Sequence, residues 1–245
     1  MSSDTPIEVG CIIPSTNTIV ERDYARIGAR SVVFHYGRSH IQIPDIDSDE
    51  AFERLIAEIE AGNAAAIERV STAQVSYMTM GMSSETFWGG KEGNARFEAE
   101  IVERAGVPIT TGATALRAAL DLFGARKIAY VSPYPEVGNR HVTRYFTEHG
   151  FDVVAQHGLA SDSPKAMSEV DDTELARVIA ELDAARPDAI LQVGTNLSMI
   201  ALAASAEDFL RKPVIAINAA CVWHTLRQVG STEQIDGFGS LLRDH

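Results

Sequence analysis

Five short polar turns carry residue types able to bind and polarise a small acid: PSTN (14–17), GMSS (81–84), SPY (132–134), GTN (194–196) and NAA (218–220). They supply Ser15, Asn17, Ser83, Ser84, Tyr134, Thr195, Asn196 and Asn218, hydroxyls and carboxamides with no Lys, Arg or His among them. Neutral donors of this kind suit a carboxylate or a developing enolate, which they stabilise most as charge builds up. Each turn precedes a segment read as helical, and the unpaired N–H groups at a helix start favour an anion. Taken singly, Ser and Asn after a strand read first as N-caps, and Gly81 and Gly194 as turn residues with unusual backbone angles. Recurrence at five equivalent places makes the set a candidate site.

The elements that position these turns alternate. Apolar runs at 7–14, 30–36, 73–80, 107–111, 127–133, 152–158, 188–194 and 212–218 read as buried strands. Segments 49–70, 95–106, 115–124, 138–150 and 172–186 carry apolar residues at helical spacing. Such alternation predicts an α/β fold of parallel sheets covered by helices. It also repeats: CIIPSTNTIVERDY (11–24) resembles YVSPYPEVGNRHVTRYF (130–146), AQVSYMTMGMSS (73–84) matches DAILQVGTNLS (188–198), and VPITTGATALRAALDLFG (107–124) matches KPVIAINAACVWHTLRQVG (212–230). Self-similarity in the same order predicts two pseudo-symmetric, Rossmann-like halves. We place them at 1–120 and 121–230, with 231–245 packing back on the first. Ligands of open parallel sheets bind beyond the carboxyl ends of the strands, so the turns converge on a cleft between the halves.

Composition fits a small-molecule protein. With 245 residues, 45% of them hydrophobic, the chain can bury a full core. A formal charge of −13 opposes nonspecific binding to nucleic acid or an anionic membrane. No apolar run approaches the roughly 18 residues of a membrane span, no signal peptide is evident, and a cytoplasmic location is expected. The two cysteines, Cys11 and Cys221, form neither a disulfide framework nor a zinc motif. His35, His40, His141 and His149 lack ligand spacing, so no metal is expected. WGGKEGN does not place GxGxxG after a strand, which argues against a dinucleotide site, and no cofactor is expected. Met78, Met80 and Met82 read as core filler.

PSTNTIVERDY, VSYMTMGMSSETFWGG, the Ser-Pro-Tyr turn with Asn139, and PVIAINAACVW together resemble the aspartate/glutamate racemase superfamily, in the branch that contains maleate cis-trans isomerase and arylmalonate decarboxylase. The resemblance covers nearly the whole chain. It implies a homo-oligomer acting on a small carboxylic acid, with Asn17 on a substrate carboxylate and Ser83 and Tyr134 in a dioxyanion hole. Ser15, Gly81, Met82, Asn139, Gly194, Thr195, Asn196 and Asn218 would complete the substrate site, and Ser84 would join the catalytic group.

The departures from that branch decide the chemistry expected. Racemases and maleate isomerases place a cysteine after each of the two equivalent strands, where this chain has Gly81 and Gly194; the decarboxylase keeps the second as its proton donor and has a hydroxyl residue at the position of Met82. Cys11 and Cys221 fall elsewhere and read as buried, inert thiols. Thiolate addition and two-thiol racemisation are therefore not expected here. Loss of carbon dioxide needs only an electron sink and a later proton, from water or from Tyr134, Glu85 or His224. Lyase chemistry through an enediolate is the leading expectation. The alternatives are a hydrolase of a small amide or lactone with Ser83 or Ser84 as nucleophile, without a GxSxG elbow to support it, an isomerase using a non-thiol route, and a non-catalytic small-acid binding protein. A cysteine at position 194 would, on this reading, restore the missing proton donor.

Overall fold

Eight strands form two four-stranded sheets in a computed structural model that describes residues 5–42 and 48–245. The first holds β1 (Ile7–Pro14), β2 (Val32–Ser39), β3 (Tyr77–Met80) and β4 (Ile109–Thr110) in the order β2-β1-β3-β4. The second holds β5 (Lys127–Ser132), β6 (Asp152–Gly158), β7 (Ala189–Gln192) and β8 (Val214–Ala216) in the order β6-β5-β7-β8. Every pairing is parallel, and one order becomes the other on adding four to each strand number. The internal repeat in the sequence is thus a repeat of topology. β3 and β7 are buried along their whole length, which is why they read as unbroken apolar runs, whereas the edge strand β6 has only exposed and half-buried residues.

The helices follow from caps and apolar stripes. α1 (Val20–Ile27) stops at Gly28, whose φ of 66° is the left-handed turn that ends many helices. α2 (Asp49–Ser71) begins where the Ser48 hydroxyl accepts from the Ala51 N–H at 3.1 Å, and buries Phe52, Leu55, Ile56 and Ile59 at helical spacing. α3 (Ser84–Phe87) is a single turn between β3 and α4 (Gly90–Ala105), and α5 (Gly112–Phe123) follows β4. In the second half come α6 (Glu136–Glu148), α7 (Pro164–Ser168), α8 (Asp172–Asp183) and α9 (Ile200–Leu210), then α10 (Ile217–Gln228) and α11 (Ser240–Asp244). After α10 the chain returns to the first half: Glu233 accepts from the N–H groups of Arg30 and Ser31 at 3.0 and 2.9 Å.

One boundary differs from the sequence expectation. β8 ends at Ala216, so NAA (218–220) is the first turn of α10 rather than a loop after a strand. Residues 217–226 are buried on every side of that helix, and a helix wrapped by core has no polar face to reveal its period. No helix among the described residues is long and apolar enough to cross a membrane.

Candidate functional site between the two halves

The turns after β1, β3, β5 and β7 meet at one cavity, which encloses about 470 Å³ including its mouth. The first half contributes Thr16 and Asn17, then Met82, Ser83, Ser84 and Glu85, and an apolar wall of Ile41, Phe52, Leu55 and Ile59. Tyr134 and residues 194–196 line it from the second half, with Pro164 and Met167 of α7. No Lys, Arg or His is among the described residues that line it.

At its centre the two halves share hydroxyls. Ser83 Oγ lies 2.5 Å from Tyr134 Oη and accepts from the Thr195 N–H at 3.0 Å. One of the two hydroxyl protons bridges the pair; the other has no acceptor among the described residues. Burial pushes the Tyr134 phenol far above its ordinary value, so it stays a hydrogen-bond donor rather than a phenolate. The ring is held by Phe52, with centroids 5.6 Å apart. Thr195 in turn donates from Oγ1 to the Gly81 carbonyl at 3.1 Å and accepts from Asn17 Nδ2 at 3.4 Å. Asn196 ties the same two turns together, with Oδ1 accepting from the Thr18 N–H at 2.9 Å and Nδ2 donating to the Pro164 carbonyl at 2.7 Å.

Of the expected residues, Asn17, Met82, Ser83, Ser84, Tyr134, Gly194, Thr195 and Asn196 line the cavity; Ser15, Gly81, Asn139 and Asn218 do not. Ser15 Oγ accepts from the Ile41 N–H at 3.0 Å and so fixes the wall. Asn139 is spent inside its own turn, accepting from Ser132 Oγ at 2.5 Å and donating to the Tyr134 carbonyl at 3.0 Å. Asn218 donates to Asp23 Oδ2 at 2.9 Å and to the Thr195 carbonyl at 3.1 Å, which holds the Thr195 turn from behind. Gly81 faces the core: a Cβ there would meet Ile13, Cys11 and Val20. These four position the lining instead of forming it.

The helix-end expectation also needs correction. Asn17 Oδ1 accepts from the N–H groups of Ile19 and Val20 at 2.9 and 3.0 Å, so it occupies the donors at the start of α1 that an anion would have used. α3, at four residues, is too short to present a helix dipole.

Glu85 stands out among the lining residues. It is 2% exposed, its Oε2 accepts from Ser84 Oγ at 3.1 Å, and its Oε1 finds no partner among the described residues. Burial raises its pKa from 4.5 to about 7, against the lowering effects of its own backbone N–H and the Ser84 hydroxyl. The fold thus keeps a proton that the unfolded chain releases, and stability is lost as pH rises from the unfolded value through the folded one. Glu85→Gln is expected to remove that slope, gaining on the order of 3 kcal/mol over the parent at about pH 8 and nothing below about pH 4. Urea midpoints at the two pH values check this; parallel pH dependences would show that Glu85 titrates normally.

The other candidate groups are out of reach. Cys11 and Cys221 are fully buried and off the lining, and burial raises both thiols, Cys221 to about 12. His224 is buried against Thr110, with Nδ1 2.8 Å from Thr110 Oγ1, and burial lowers it to about 4. His141 stacks on Trp88 at 3.9 Å between centroids. No group of three or more His, Cys, Asp or Glu among the described residues is placed to hold a metal ion.

Against known proteins, the profile of the arylmalonate decarboxylase family matches residues 9–242. Maleate isomerase of Pseudomonas putida is 24% identical over 250 residues, covering 96% of each chain. Arylmalonate decarboxylase of Bordetella bronchiseptica is 24% identical over 237 residues, covering 95% of each. Among solved structures, a mutant of Nocardia farcinica maleate cis-trans isomerase with a covalently bound succinylcysteine intermediate superposes with a TM-score of 0.89 at 20% identity, over 98% of this chain and 100% of that one.

Proposed function

This chain belongs to the arylmalonate decarboxylase family, and from that premise we propose that it is a cofactor-independent lyase that removes carbon dioxide from a small malonate-type acid through an enediolate held by Ser83 and Tyr134. The observation that carries the proposal is the hydroxyl pair shared across the two halves, backed by the Thr195 N–H. As the C–C bond breaks, its electron pair moves into the retained carboxyl group. Charge then grows on oxygens that face preorganised donors, where each donor is worth roughly 3 to 4 kcal/mol. No protein nucleophile is required. A thiolate route has no group to run on, because both thiols are buried away from the lining and held protonated.

The rest of the lining divides by chemistry. Asn17 and Asn196 each keep one amide N–H for a retained carboxylate, while both Thr195 protons are given to Ser83 and Gly81, and Met82 and Gly194 line the sides of its pocket. Phe52, Leu55, Ile59 and Ile41 suit an apolar substituent on the central carbon. A charged leaving carboxylate against that wall would be poorly solvated, which favours its departure as neutral carbon dioxide.

Screening substituted malonates, maleate, aspartate, glutamate and their amides by thermal shift and by carbon dioxide release tests the proposal. A small acid present at about 100 times its dissociation constant should stabilise the fold by about 2.7 kcal/mol. Apolar-substituted malonates should both stabilise and release carbon dioxide. A flat thermal response across the panel would remove the pocket from consideration, and binding without gas release would remove the lyase.

A further inference from the structure

We propose that Glu85 is the acid of this pocket, delivering the proton that the reacting carbon takes up after carbon dioxide has left; this rests on the lyase reading above. Three groups offered a proton in the sequence, and geometry separates them. His224 does not line the cavity and is tied to Thr110. Tyr134 lines it, but one proton of the Ser83–Tyr134 pair bridges the two oxygens and the other is committed to the enediolate. Glu85 lines it as well, two residues from Ser83, and it is not needed by the hole.

Its hydrogen bonding prepares it for the task. Oε1 is buried and without a partner among the described residues, so the route from the carboxyl group to the cavity runs through Oε2, which is hydrogen-bonded to the Ser84 hydroxyl at 3.1 Å. When Glu85 is protonated that hydrogen bond reverses: Oε2–H donates to Ser84 Oγ and frees the Ser84 hydroxyl proton for the cavity, which Ser84 also lines. The titratable neighbours that bear on Glu85 are Glu60 of α2 and Tyr134 of the β5–α6 turn, and a negative charge at Glu60 favours the protonated form. With a value of about 7 the group is charged and discharged readily near neutrality, where a general acid works best. An anion bound beside it raises that value further, so a carboxylate ligand brings its own acid into the protonated state.

The step balances. The substrate C–C bond breaks, carbon dioxide leaves, and the electron pair resides on the enediolate. The Ser84 O–H bond then breaks and its proton forms the new C–H bond while the Glu85 Oε2 proton passes to Ser84 Oγ, and the enediolate becomes a monocarboxylate. The Glu85 carboxylate recovers a proton from water. Because one acid on one wall delivers the proton, a malonate with two different substituents yields one hand of product.

The test combines turnover, handedness and an infrared signature. On a prochiral arylalkylmalonate, Glu85→Gln should lower turnover about a hundredfold, and the residual product should be racemic because water supplies the proton. Glu85→Asp should recover part of the rate and handedness. In the parent protein, an infrared carboxylic-acid band absent from Glu85→Gln should titrate near neutrality and persist to higher pH when a carboxylate binds. A Gln variant with the parent's rate and handedness overturns the proposal, as does a missing acid band, even if carbon dioxide is released. Should the parent release no carbon dioxide while the band is present and responds to ligand, the lyase assignment and the delivery step fall together, and Glu85 stands only as a protonated group of a carboxylate pocket.

Discussion

Replacing Ser83 with Ala, or Tyr134 with Phe, is expected to lower kcat by about 10² to 10³. Each hydroxyl matters most when charge reaches the enediolate oxygens, so KM should change much less than kcat. The pair sits 2.5 Å apart and leaves one hydroxyl proton for the ligand, which makes the two residues one functional unit. The double variant should therefore cost little more than the worse single variant, far less than the product of the two effects. Ser83→Ala also strips a partner from the Thr195 N–H. That loss costs about 1 to 3 kcal/mol of stability, so kinetics must be taken below the unfolding range of the variant. Independent, multiplicative losses from the two substitutions would mean the hydroxyls act at separate oxygens. Full activity in either single variant would remove both from the site.

The strands and the turns between them were legible because buried parallel strands declare themselves as apolar runs, and the repeat fixed their correspondence between halves. Other features resisted for identifiable reasons. α9, whose sequence IALAASAEDFL is rich in alanine, and α10, buried all around from 217 to 226, carry little periodic contrast. Asparagine is both a good cap and a good ligand for a carboxylate, and its type cannot say which. Asn17 caps the start of α1 with its oxygen and reaches Thr195 at the cavity wall with its amide, whereas Asn139 and Asn218 are consumed by the scaffold. Glu85 carried only the weakest signal, a lone acid after two serines. Its character comes from burial by α2 and the second half, which no local pattern encodes.

Gly194→Cys, which by sequence alone would reinstate a proton-donating thiol, is expected instead to destabilise the fold by roughly 2 to 6 kcal/mol. Gly194 has a φ of 111°, a conformation that side-chain-bearing residues rarely adopt, and a Cβ built there lies 2.4 Å from Cδ of Pro133. Pro133 cannot move aside, since its ring is fixed in the turn that presents Tyr134. Any shift that relieved the clash would displace the Tyr134 hydroxyl from Ser83, so the variant should lose activity along with stability. Gly81→Cys fails for a different reason: its Cβ would fall 2.5 Å from Cγ2 of Ile13 and 3.1 Å from Cys11 Sγ, inside the core and away from the cavity. Overpacking there should cost about 1 to 3 kcal/mol without placing a thiol near a ligand. Gly194→Ala serves as the control, because a methyl group meets the same proline and the same φ; it should lose nearly as much stability as the cysteine variant. Urea denaturation of the three variants measures this directly. A Gly194→Cys protein as stable as the parent and more active would show that the turn can rearrange to accept a thiol, and the proton would then have a route that bypasses Glu85. If the losses are as large as expected, the backbone conformation at 194 and the core packing at 81 both exclude a thiol, and among the described lining residues Glu85 is the one carboxyl group left to supply an acid.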